Sequence, residues 1–183
     1  MTIKERQGLY NEAIAFYELA ECGRQHIAER KHVESHIPYI VNMCFCTELF
    51  LKMLLLEQGK TIAFLKNTKH NLWELYDALS DECKDDIYTC YLRQNQIKIF
   101  SIEEELKKSK NAFVQWRYLV LDKIGEIPAK KKRLTFQDWL KNEENTNEST
   151  TNRNNKQNNP KLLQISPFFL KEFNEVLIEI CKP

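Results

Sequence analysis

Residues that interrupt or redirect a backbone are scarce: four glycines and five prolines in 183 residues. Runs of β-branched side chains are scarce as well, so helix is favoured over strand. There is no glycine-rich phosphate loop, no Gly-x-Ser-x-Gly elbow, no His-Glu-x-x-His pair and no paired cysteines at zinc spacing. Those absences remove most common enzyme classes. No charge of one sign dominates either: the net charge is +1, so any basic site for nucleic acid must be local. The start of the chain shows no positive segment leading into an apolar core, and no secretory signal is expected.

What is present is ordinary for a water-soluble domain, with 43% apolar and 29% charged residues. The length suits one domain over 1–183 with a real core. The six cysteines do not form a metal set. Cys44 and Cys46 fall on roughly opposite sides of a helix, and Cys83 and Cys90 have no ligand partners at suitable spacing. Buried free thiols in a reducing cytosol are the expectation, with no metal and no cofactor.

The densest apolar stretch is 37–56, long enough to span a bilayer. Asn42, Glu48 and Lys52 interrupt it, and a central charge costs about 2.5–3.5 kcal/mol on insertion. A core helix with no membrane role is therefore expected. Glu48 and Lys52 are one helical turn apart, and charges on such a helix must pair or face a wet groove.

Around this helix the pattern is helical throughout. Leu9, Ala13, Phe16, Ala20, Gly23 and Ile27 mark an amphipathic helix over about 7–30. Ser35 and Pro38 suit the start of the central helix, and Gly59 suits its end. Asn71 with Glu74 opens a short helix bearing Leu72, Leu75, Tyr76 and Leu79. Ser80 opens another, with Ile87, Cys90 and Tyr91 inward. Ser101 with Glu104 opens one that carries Leu106, Phe113, Trp116, Val120 and Ile124 to a stop at Gly125. Ser166 and Pro167 start a last helix with Phe169, Phe173, Val176 and Ile180 inward. Between them, 141–161 is asparagine-rich with Pro160 as its only apolar side chain, and reads as a mobile insertion. The expected fold is an all-α, up-and-down bundle of four to six helices with a long polar loop before the last.

Three segments in order carry a family resemblance. Glu48, then Leu51-Lys52 and the leucines 54 and 55, resemble the second-helix pattern of HEPN domains (higher eukaryotes and prokaryotes nucleotide-binding). Lys69-His70-Asn71-Leu72-Trp73-Glu74-Leu75 resembles the His-x-Leu-x-x-Leu turn that follows. Phe113, Trp116, Arg117 and Tyr118 resemble a late-helix element of some branches. The resemblance covers about 37–122. It implies a helical bundle, a homodimer, and a setting in prokaryotic defence, toxin–antitoxin or nucleotide-linked systems. Active members are metal-independent ribonucleases with Arg, four to six residues, then His, on a late helix. Such a His moves protons and such an Arg stabilises phosphorane charge.

This chain departs from that motif, because no histidine follows Arg117. Arg30 and His36 have the spacing but fall at the junction of the first two helices, and no catalytic residue is assigned. Arg117 and Tyr118 are the candidate phosphate or base contacts, with Lys130, Lys131, Lys132 and Arg133 as the one dense basic run. Beside each stands a structural role: a snorkelling arginine on a packed helix face, and a solvated loop. For Glu48 the expected role is an ion pair with Lys52, or a bridge to Arg117 locking two helices. His70 is expected to cap or orient the short helix, since no partner in sequence makes it a base. His26, His32 and His36 read as solvated surface.

The expected function is a non-catalytic or divergent HEPN-like module in the cytoplasm, binding RNA, a nucleotide or a partner protein. The alternatives are a metal-independent ribonuclease with a non-standard site around Arg117, and a helical scaffold with no nucleic-acid role.

Overall fold

The computed structural model describes residues 1–28, 36–95, 100–109 and 166–183. These form seven helices: α1 (Ile3–Ala28), α2 (His36–Glu57), α3 (Ile62–Thr68), α4 (Leu72–Asp77), α5 (Asp81–Gln94), α6 (Ile102–Lys108) and α7 (Pro167–Cys181). No strand occurs among the described residues.

The helix starts are chemically alike. Thr61, Asn71, Ser80, Ser101 and Ser166 each sit in extended backbone and accept the amide hydrogen three residues on. That bond satisfies one of the amides a helix leaves unpaired at its first turn. At α1 the same job is done reciprocally. Glu5 accepts the Thr2 amide at 2.7 Å while Thr2 Oγ1 accepts the Glu5 amide at 3.2 Å. This box explains why α1 begins at Ile3, four residues before the expected start. Gly59, at φ +80°, ends α2 in the left-handed region that favours glycine.

α2 is the central element and packs against α1, α4 and α7. Met43, Cys44, Cys46, Phe50, Leu51, Met53 and Leu55 are fully buried on it. Ala13 and Ala20 of α1 are fully buried as well, and their small side chains let α1 lie close along α2. α7 closes the core: Phe169 and Phe173 stack at 5.2 Å, with Tyr76, Tyr91 and Phe100 edge-on around them. The inward stripes on α4 and α5 are buried, and so are Phe169, Phe173 and Val176; Ile180 is half-buried and Cys181 takes the inner position.

Two expectations change. The described residues hold seven helices rather than four to six, because the link after Gly59 contains α3. The cysteines are all free, but only Cys44, Cys46, Cys90 and Cys181 are buried; Cys22 is exposed and Cys83 half-buried. The helix opened by Ser101 is described only to Lys108, and Phe113, Trp116, Val120, Ile124 and the 141–161 insertion lie outside the described residues. Pro38–Glu57 is long and apolar enough to cross a membrane, and 67% of its apolar window is buried against the rest of the chain.

Candidate functional site

Glu48 is the one carboxylate buried on α2, with 4% of its surface exposed. A buried carboxylate needs partners, and it has two. Lys52, one turn along the same helix, donates its ammonium to Oε1. His70, twenty-two residues away in the α3–α4 turn, brings Nδ1 to 2.9 Å from Oε2. An ionised carboxylate only accepts, so the hydrogen of this bond belongs to Nδ1. The His70 ring also meets Phe45 edge-on at 6.4 Å, and Phe45 stacks on Phe16 of α1 at 5.2 Å.

The turn that delivers His70 is strained. Lys69 has φ 51° and ψ −118°, a conformation in which an L side chain is unfavourable. That backbone ends α3, reverses the chain, and sets the imidazole over α2. Asn71, next in sequence, caps α4 through the Glu74 amide. His70 therefore does not cap the short helix; the cap is Asn71, and the imidazole turns instead to the carboxylate of α2.

Glu48, Lys52 and His70 are thus brought together. His70 keeps 56% of its side chain exposed and Lys52 keeps 23%, so both reach solvent from a buried anchor. Arg117, Tyr118, Lys130, Lys131, Lys132 and Arg133 lie outside the described residues, as do Arg30 and His32. Among the described residues, no group of three or more His, Cys, Asp or Glu side chains could hold a metal ion.

No protein-family model matches the chain, and no curated protein or solved structure is significantly similar to it. Glu48 fixes a protonated ammonium and an imidazole side by side at the rim of a helical core. Lys52 has three donors and spends one on Glu48, which leaves capacity for an anion such as a phosphate.

Further polar contacts inside the protein join elements distant in sequence. Thr47 and Asn174 are fully buried and join α2 to α7: Oγ1 of Thr47 lies 3.0 Å from Oδ1 of Asn174, whose amide donates to Met43 and Leu170 carbonyls at 3.1 and 2.8 Å. Glu105, buried on α6, accepts the Ser166 amide at 2.8 Å and pairs with Lys108. Tyr39 donates to the Pro167 carbonyl at 3.2 Å, and burial together with the nearby Glu21 carboxylate raises its phenol above the usual range. Burial likewise pushes the Tyr91 phenol up to about 12, where it accepts the Phe100 amide and faces Glu172.

Proposed function

We propose that this chain is a cytoplasmic, dimeric HEPN-like module that binds RNA without cutting it, in a prokaryotic defence or toxin–antitoxin setting. The observation that carries the reading is the 2.9 Å contact between His70 and Glu48. It joins two of the three segments on which the family resemblance rests. Beside that contact the Lys52 ammonium, bonded to Glu48 through one hydrogen, has donors left over for phosphate oxygens. Arg117 and the 130–133 run supply the remaining contacts in this reading. A nucleotide or a partner protein would use the same rim.

The test is anisotropy of a labelled single-stranded RNA with full-length protein in EDTA, at 50 and 200 mM salt. The expected outcome is binding that falls steeply with salt, weakens in Lys52→Ala, and leaves the RNA intact. Absence of binding at low salt would leave a scaffold with no nucleic-acid role.

One observation favours a second reading, the metal-independent ribonuclease. A carboxylate that holds Nδ1 leaves Nε2 as the basic nitrogen, the arrangement that suits a proton acceptor. Cleavage in EDTA that disappears in both His70→Ala and Arg117→Ala would select it.

A further inference from the structure

A second surface has the opposite character. Trp73 and Tyr76 of α4, Lys84, Asp85 and Tyr88 of α5, and the 100–103 segment entering α6 enclose an open groove of about 610 Å³. Tyr88 is 49% exposed on its wall, and Trp73 is half-buried. The three helices that build the groove carry nine carboxylates against four lysine and arginine side chains. The two lysines beside it are already committed, Lys84 to Asp81 at 3.6 Å and Lys107 to Glu103. Asp85 has no ion pair among the described residues.

The groove also shows what its aromatic wall accepts. The Lys107 ammonium stands 4.6 Å from the centre of the Trp73 ring, in the position where a ring face attracts a cation. A phosphate would meet the Asp85 and Glu103 carboxylates here, whereas a cation meets an aromatic face and the Asp85 carboxylate. We infer that this groove binds an arginine side chain of a basic protein segment, its guanidinium stacked on the aromatic wall and paired with Asp85. Arginine suits it better than lysine because a planar guanidinium both stacks and forks onto a carboxylate. The inference does not depend on the RNA reading, since it uses another face and the opposite charge.

The experiment is fluorescence anisotropy of the full-length protein with a labelled Gly-Arg-Gly-Arg-Gly-Arg peptide, its lysine counterpart, and a uridine hexanucleotide. The arginine peptide is expected to bind at least threefold tighter than the lysine one. Asp85→Asn and Tyr88→Ala, both exposed positions, should each weaken it at least fivefold with an unchanged melting temperature. Lys107→Ala should strengthen it about twofold, by freeing the Trp73 face and Glu103 together. Absence of peptide binding, or binding indifferent to these three substitutions, would overturn the proposal. So would hexanucleotide binding that is lost in Tyr88→Ala, because that would give the groove to a nucleobase.

Discussion

Thr47 on α2 and Asn174 on α7 are fully buried and meet at 3.0 Å, 127 residues apart in sequence. The Asn174 amide hydrogens go to the Met43 and Leu170 carbonyls, so its Oδ1 is the acceptor for the Thr47 hydroxyl. The pair ties α7 to α2 at one register, since a shift by one residue would break the Thr47–Asn174 and Asn174–Met43 bonds and leave each side chain only the carbonyl one turn back on its own helix. Asn174→Leu should cost about 0.5–1.5 kcal/mol, the range for a net hydrogen bond, because the Thr47 hydroxyl keeps the Met43 carbonyl as an acceptor. Combined with Thr47→Val it should cost less than the two single changes summed, by about 0.5–3 kcal/mol. Urea denaturation of the four variants measures this coupling, and strict additivity would count against it.

Glu105 and Ser166 make a comparable link between α6 and the start of α7. Serine caps α7 with its hydroxyl while its own amide is held by Glu105 at 2.8 Å. Glu105→Ala strands that buried amide and should lower stability by about 1–3 kcal/mol. In a chain of this length that is a fall of roughly 2–4 °C in melting temperature per kcal/mol. Lys108→Ala leaves Glu105 the Ser166 amide and should have a smaller effect.

The buried thiols and phenols set the alkaline limit of the fold. Burial pushes Cys44 up to about 12, and raises Cys46 and Cys181 in the same direction. Tyr76 and Tyr91 are likewise pushed up to about 12 by burial. At neutral pH these groups are protonated in both folded and unfolded chains. Above the ordinary thiol value of 9.0 and phenol value of 10.0, the unfolded chain releases protons that the folded one keeps. Stability should therefore be full below pH 9 and fall as pH rises towards 12. Denaturant midpoints across that range measure the fall, and Cys44→Ala should make it shallower. At pH 8, native protein should react with a thiol reagent at Cys22 first and Cys83 second, sparing the other four until it unfolds.

Lys69 offers a test on the backbone. Its φ of 51° with ψ −118° is a conformation glycine adopts without penalty. Lys69→Gly should stabilise the fold by about 1 kcal/mol, the lower end of what such strain costs. A loss of stability would mean that the lysine side chain contributes more than its backbone costs.

What could be read from sequence was what is local. Asn71, Ser80, Ser101 and Ser166 announce helices because a cap and its amide are three residues apart. The stripes on α4, α5 and α7 follow from spacing on one helix. Thr2 with Glu5, and Thr61 before α3, carried the same signal at weaker strength; α3 has only seven residues and buries only Leu65. The pairing of Glu48 with Lys52 was legible for the same reason, at one turn of a helix. The partners of His70, Asn174 and Glu105 were not, because each contact spans 22 to 131 residues and exists only after packing. A polar residue on an apolar helix face shows that a partner is needed but not which one.

His70 and Glu48 give the sharpest single measurement on the site. If Glu48 holds Nδ1–H, the neutral imidazole is the tautomer with its hydrogen on Nδ1, the minority form in water. Nitrogen-15 spectra of the neutral side chain should show that form. Glu48→Gln should shift the population towards the ordinary Nε2–H form, because a neutral amide pulls less strongly on that hydrogen. The same substitution leaves the Lys52 ammonium half-buried without its counter-charge, at a cost of about 1–3 kcal/mol. A ring that shows the Nε2–H form in the wild-type chain would break the link between the buried carboxylate and the exposed imidazole. The RNA-binding reading would then rest on Lys52, Arg117 and the 130–133 run alone.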